Sequence, residues 1–345
     1  MDHKPVYIFL PSHLYIEDFK KELTKATKRI YLQSMVVEFS KETTDITDVM
    51  IEKAQSGVDV QLHIDYFTKM MTYTEVLSPR ARERYITKQK EMLAIVNQLI
   101  SHNCNITYIN KPKKPTYQMF PRLGRNHMKL TIIDDTIYIG GVSTAKRFFG
   151  YADFMIKTTY PPLVKEVSEE FFKVNVNRLT KDRAIPIDQE TTLLLDSGKP
   201  GESVIFTKAI EMVNSAKKKI QYISQYIPDF ELLEALNKAK KRGVEVKLIT
   251  YLPKLKPDKH TENKIEHLLF ASASKGLKLS YYSKSYVHAK LMIIDEKIAI
   301  FGSHNYSKFG VLFGTDEIAL QTENKDLLSS LIIWYKEIAS NCIEK

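Results

Sequence analysis

Near the start of the chain, Ile16, Phe19, Leu23, Ala26 and Ile30 fall three and four residues apart, the spacing of one buried helix face. Phe206, Ala209, Val213, Ala216 and Ile220 repeat that spacing in the second half of the chain. Each set runs into a basic turn and then an apolar strand, ATKRIYLQSM in one case and AKKKIQYISQ in the other. A second helix then ends at a glycine before another strand, in KAQSGVDVQLHIDY and in KKRGVEVKLITY. Gly57 and Gly243 suit the left-handed position that closes a helix. The order strand, helix, strand, helix, strand is therefore predicted twice. Such alternation predicts an α/β protein in which sheets are covered by helices.

Both repeats finish with an apolar helix, LVKEVSEEFFKVN around Phe171 and DLLSSLIIWYKEI around Trp334. Between them TKDRAIPIDQET, residues 180–191, reads as a linker, which divides the chain into halves at 1–179 and 192–345. The first half carries about 25 extra residues, mostly within 67–102, in a segment expected to be helical after Ser78-Pro79 with Met92, Val96 and Leu99 on one face. Arg80, Arg84 and Lys88 form a basic stripe on that insertion, and KPKKP at 111–115 adds charge. The stripe reads first as a solvated helix face and second as a guide for a headgroup or phosphate.

Composition narrows the partners more than the fold. With 51 Lys and Arg against 41 Asp and Glu, the net charge of +10 favours anionic partners, a membrane surface or a nucleic acid. Cys104 and Cys342 have no metal or redox spacing and read as structural residues without a disulfide. No stretch approaches the roughly 18 apolar residues of a membrane span. The expected location is the cytoplasm, with peripheral contact to a membrane left open.

The chemistry is concentrated in VHAKLMIIDEKIAIFGSHN (287–305) and its counterpart NHMKLTIIDDTIYIGGVST (126–144). Residues two apart in a strand share a side, so His288 and Lys290 face together, as do His127 and Lys129, while Ala289 and Met128 turn into apolar packing. A neutral histidine beside a fixed cation suits attack on an anionic centre that the cation also neutralises, which is phosphoryl chemistry. After Asp295 the chain returns as a hairpin that brings Ser303 and Asn305 toward the same pocket.

This pattern resembles the phospholipase D superfamily, whose signature is HxKxxxxD followed by GSxN. His288, Lys290, Asp295, Gly302, Ser303 and Asn305 match it in full, and the first copy matches at His127, Lys129, Asp134 and Gly141. RNHMK and YISQYIPDFELLEALNKAKKRGVEVKLI look like segments of bacterial cardiolipin synthases and related phosphatidyltransferases. FGYADFMIK and TDEIAL place Asp153 and Glu317 at that family's acidic positions.

The resemblance implies two phospholipase D-like halves, each a mainly mixed sheet flanked by helices, packed as a pseudo-twofold bilobed unit with one site at their interface. A pseudo-dimer within one chain implies a monomer. It further implies a phosphohistidine intermediate, with His127 as nucleophile and His288 as acid and base. Lys129, Lys290 and Asn305 would hold the phosphate oxygens, Asp153 and Glu317 would orient the histidines, and Asp134 and Asp295 would support the site. In the first half the family's asparagine position falls at Thr144, preceded by Ser143, so a hydroxyl is expected to replace an amide. No cofactor is implied, and no pair of histidines has the spacing of a zinc site.

Of the other histidines, His304 sits at the variable position of GSxN, while His13, His63, His102, His260 and His267 read as structural or surface residues. Tyr281, Tyr282 and Tyr286 suit core packing as well as base stacking or a lipid interface. The leading expectation is an enzyme that makes or cuts a glycerophospholipid phosphodiester, with a phospholipid substrate. A metal-independent DNA or RNA phosphodiesterase stands second, and a non-catalytic binder of anionic lipid or nucleic acid third.

Overall fold

The computed structural model describes residues 4–69, 79–111, 124–173, 181–252, 270 and 273–344. The first half runs β1 (Ile8–Pro11), α1 (Ser12–Lys25), β2 (Arg29–Ser34), α2 (Thr44–Gln55), β3 (Asp59–Asp65), α3 (Pro79–Ser101) and β4 (Asn105–Ile109). It continues through β5 (Leu130–Ile133), β6 (Thr136–Gly140), α4 (Lys146–Phe149), β7 (Phe154–Thr158) and α5 (Pro161–Lys173). The second half begins with β8 (Arg183–Pro186), β9 (Thr191–Ser197), α6 (Val204–Ser215), β10 (Lys219–Ser224), α7 (Phe230–Lys241) and β11 (Glu245–Tyr251). It closes with β12 (Leu279–Tyr282), β13 (Lys290–Ile294), β14 (Ile298–Gly302), α8 (Lys308–Phe313), β15 (Asp316–Thr322), α9 (Lys325–Ser340) and β16 (Cys342–Glu344).

Two mixed sheets result, in the orders β1-β7-β6-β5-β2-β3-β4 and β16-β12-β11-β10-β13-β14-β15-β9-β8. The strands next to the repeated helices pair in parallel, β2 with β3 and β10 with β11, and the motif strands pair antiparallel to β2 and β10. Period-two alternation sends residues to different cores. Met128, Leu130 and Ile132 join Ala289, Leu291 and Ile293 in one apolar core shared by the two sheets, together with α5 and α9. The other face of the first sheet packs on α1, α2 and α3, and that of the second on α6 and α7. The insertion helix α3 buries Met92, Val96 and Leu99 as its periodicity predicts. Lys88 is exposed on it, whereas the side chains of Arg80 and Arg84 and most of KPKKP lie outside the described residues.

Three local features depart from the sequence reading. The repeated 3-4-3-4 face is not one helix, because α1 ends at Lys25 and α6 at Ser215, which leaves Ile30 and Ile220 buried in the following strands. The cause lies far along the chain: Asp134 accepts the backbone N–H groups of Thr27, Lys28 and Arg29, and Asp295 those of Lys217, Lys218 and Lys219. Those bonds shape a turn that a continuing helix could not make. Second, the segment 180–191 is not a plain connector, since Arg183–Pro186 form an edge strand paired with β9. Gly57 and Gly243 do take the expected left-handed conformation, at φ 92° and 88°.

The third departure changes the alignment of the repeats. In the first hairpin Ile133 pairs with Thr136 across the two residues Asp134 and Asp135, while in the second Ile294 pairs with Ile298 across three. The extra residue shifts everything after the turn by one place. Gly140 pairs with Met155 as Gly302 pairs with Ala319, and a Cβ on either glycine would collide with the carbonyl of the partner strand. Gly141 therefore stands at the position of Ser303, and Ser143 rather than Thr144 at that of Asn305. Thr144 is used differently: its carbonyl accepts the Glu38 N–H at 3.0 Å, tying the loop to the end of β2.

Candidate active site

The two halves meet where the motif strands begin. Backbone bonds cross between them, with His127 N–H donating to Asp316 O at 2.9 Å and Asp316 N–H to Arg125 O at 2.9 Å. On the opposite side of the pseudo-twofold, Ala152 N–H donates to Tyr286 O at 2.9 Å and His288 N–H to Ala152 O at 3.0 Å. Each histidine is thereby set beside a carboxylate from the other half. His127 Nδ1 lies 2.9 and 3.0 Å from the Glu317 oxygens, and His288 Nδ1 lies 2.6 Å from Asp153 Oδ2. An ionised carboxylate only accepts, so with each acid ionised Nδ1 is the donor and the neutral ring keeps its lone pair on Nε2.

The two carboxylates have different surroundings. Glu317 also accepts the Ser303 hydroxyl, and Ser303 accepts the Ile318 N–H in turn at 3.0 Å. Burial works to raise the Glu317 carboxyl, but His127, its hydrogen bond, His304 and Lys129 outweigh it and lower the group to about 2. Gly141 supplies no hydroxyl to Asp153, whose carboxylate fills the space a Cβ would need. Burial raises Asp153 to about 6, opposed by Lys290, by the Phe154 N–H at 2.8 Å and by Lys129. Burial also holds His127 toward its neutral form, with Lys129 and Lys290 adding to the effect and Glu317 opposing it.

Lys129 and Lys290 are both buried, each donating to the carbonyl of its own motif histidine. Burial lowers both lysines, Lys290 to about 8 and Lys129 well down, where the neighbouring Lys290 charge contributes. Asp153 and Glu317 oppose both shifts, and an entering phosphate would likewise favour the charged lysines. Asn305 Oδ1 accepts Gln225 Nε2–H at 2.8 Å, so the amide has only N–H donors left to offer an anion.

Other predicted residues fall elsewhere. Asp134 and Asp295 are the turn-holding residues described above, a strand's length from the lysines, on the order of 15 Å at 3.3 Å per residue. Their contacts are to backbone N–H groups, which hold both carboxyls below the usual range against partial burial. Ser303 is a partner of Glu317, and Thr144 belongs to the β2 contact. His304 is buried and accepts the Tyr306 N–H on Nδ1 at 2.9 Å. Tyr281 and Tyr286 are buried; His63 stacks on Phe171 with ring centroids 4.0 Å apart. Cys104 and Cys342 are free thiols. His260 and His267 lie outside the described residues.

One structural group escaped the sequence reading. Arg125 donates to Asp65 Oδ1 at 3.0 Å, both side chains being buried, while Asp65 Oδ2 accepts the Asn126 N–H at 2.6 Å and Asn110 Nδ2–H at 2.9 Å. This cluster fixes the chain at the residue before His127. Its only signal was an arginine and an asparagine preceding the motif; nothing local pointed to Asp65.

A family model described as "Cardiolipin synthase, PLD-like domain" matches residues 19–174 and 209–339. The chain is 22% identical over 342 residues to the minor cardiolipin synthase ClsB of Bacillus subtilis (strain 168), covering 93% of this chain and 78% of that one. It is 26% identical over 306 residues to a cardiolipin synthase of Geobacillus sp. (strain WCH70), covering 83% of this chain and 56% of that protein's length. The fold is similar to that of phosphatidylserine synthase from Haemophilus influenzae Rd KW20, with a TM-score of 0.71 at 14% identity over 98% of this chain and 87% of that one.

Proposed function

Since the chain belongs to the phospholipase D superfamily, with the PLD-like domain of cardiolipin synthases in both halves, we propose that it transfers a phosphatidyl group between alcohols, acting on glycerophospholipid phosphodiesters. The observation that carries this reading is the exchange of carboxylates across the pseudo-twofold, which puts two oriented histidines and two buried lysines around one site.

In this mechanism Lys129, Lys290 and the Asn305 amide take the non-bridging oxygens of the substrate phosphate. His127, neutral and with Nε2 unprotonated, attacks phosphorus. The P–O bond to the leaving alcohol breaks as His288, protonated on both nitrogens, gives its Nε2 proton to the departing oxygen. His288 then takes the proton of the incoming alcohol, whose oxygen displaces His127. Burial, with Lys129 and Lys290, holds His127 toward its neutral form, which suits an attacking ring and supports His127 as the nucleophile.

The test has two parts. Purified protein given phosphatidylglycerol vesicles with a chelator present should form cardiolipin or release glycerol; activity confined to DNA or RNA would overturn the lipid reading. His127→Ala and His288→Ala should each lower kcat/KM by at least about 10³-fold. Rapid quenching and peptide mapping should find the phosphoryl group on His127, and its recovery on His288 would reverse the roles.

A further inference from the structure

Exposed large apolar side chains are scattered over most of the surface, which is ordinary, but three gather beside the site. Phe230, Phe309 and Leu312 are 59%, 52% and 47% exposed, and the rings of Phe230 and Phe309 lie 5.8 Å apart. Phe309 and Leu312 stand on α8, which begins three residues after Asn305 and ends three before Asp316. The far end of that helix accepts the Gly124 N–H at Phe313 O, 2.9 Å, three residues before His127. The patch therefore stands on the rim of the active site.

It is held there firmly. Lys308 N–H donates to Asp229 Oδ1 at 3.2 Å and Lys308 Nζ pairs with Glu231 Oε1 at 2.6 Å, which locks the start of α8 against the start of α7. Phe230 itself adopts φ 39°, a conformation costly to a bulky residue. The ring is thus held largely in solvent at a backbone cost. The corresponding short helix of the other half, α4, presents Lys146 and Arg147 exposed where α8 has Lys308 and Phe309. One rim thus presents basic side chains, Arg147 paired with Glu38 Oε1 at 2.7 Å, where the other presents apolar ones.

We propose that this rim is a docking surface for an anionic lipid bilayer, with Phe230, Phe309 and Leu312 entering the acyl region and Lys146 and Arg147 facing the headgroups. This rests on the phosphatidyltransfer reading for its choice of partner, and the net charge of +10 complements such a surface. Docking this way sets the headgroup phosphate level with the site mouth, so the lipid need not leave the bilayer fully to react.

The test is co-sedimentation with vesicles of phosphatidylglycerol and phosphatidylcholine. Wild type should bind, and the F230S/F309S variant should bind at least roughly tenfold more weakly, the scale of losing one buried phenyl ring. Both should cleave a soluble aryl phosphodiester at equal rates, which shows that the variant is folded. As an independent readout, F309W should be quenched by brominated acyl chains beyond any quenching of Trp334 in wild type. Undiminished vesicle binding by the double variant, or an unquenched F309W, overturns the proposal. So does a nucleic-acid affinity or a self-association that the double variant abolishes. Phe-dependent vesicle binding without phosphatidyl transfer would leave the docking surface standing and overturn the function proposed above.

Discussion

The two halves are built on one plan and differ most where they support their histidines. Behind His127 stands a buried ion pair, Arg125 with Asp65; at the matching strand positions behind His288 stand Tyr286 and Tyr251, with ring centroids 4.3 Å apart. Phe148 and Tyr151 add aromatic edges at 4.9 and 6.2 Å from the His288 ring. Glu317 is lowered by His127, His304 and Lys129 against its burial, whereas burial raises Asp153 against Lys290 and Lys129. Duplication supplies two half-sites, and side-chain replacement around them separates their proton chemistry. In the mechanism proposed above the two histidines act in different protonation states, so unequal surroundings are compatible with it.

Short of removing the histidines themselves, the largest predicted effect comes from replacing the orienting carboxylates. Glu317→Gln and Asp153→Asn should each reduce kcat by about 10²-fold or more, since an amide can present the wrong partner to Nδ1. Their stability profiles should run in opposite directions with pH. Glu317, lowered from 4.5 to about 2, stabilises the fold above about pH 4.5 and loses that contribution as pH falls toward 2. Asp153, raised from 3.8 to about 6, stabilises below about pH 3.8 and loses that contribution as pH rises through 6. Urea unfolding across pH 3 to 8 should therefore show the advantage of wild type over E317Q growing with pH, and that over D153N shrinking. Parallel profiles would remove the distinction between the two carboxylates.

A second test addresses the supports. Arg125→Met leaves the Asp65 carboxylate buried without its cation and should cost about 3–5 kcal/mol of stability. Tyr286→Phe removes the 3.1 Å hydroxyl bond to Gln225 and should cost about 1 kcal/mol by denaturant titration. Equal losses would mean that the buried ion pair contributes no more than that single hydroxyl bond. The smallest effect is a displaced pH limb. With Lys290 lowered to about 8 by burial, kcat/KM should decline above that pH as its charge is lost, and Lys290→Arg should move the decline upward because guanidinium stays charged. An unmoved limb would assign it to another group.

Much of this was legible in the chain itself. Helix and strand periodicities follow from local burial, so the doubled order of elements, the core face of α3 and the glycine helix ends could be read directly. The His-x-Lys pairs were legible because a strand puts alternate residues on one side. The segment at 183–186 was obscured because its pairing with β9 is a tertiary choice that its mixed polarity does not announce. Thr144 was misaligned because a motif counts residues while a sheet counts pairs, and one fewer turn residue leaves the letters in place while moving the register.

The sequence by itself determined the class of fold, the repetition and the two His-x-Lys pairs, all of which depend on neighbours a few residues away. Tertiary structure alone decided that Glu317 serves His127 and Asp153 serves His288, bonds that span 190 and 135 residues. It also decided the proton affinities of the two carboxylates, Glu317 being lowered by His127, His304 and Lys129 and Asp153 raised by burial. Burial and hydrogen bonding set proton affinity, and neither exists until the two halves close on each other.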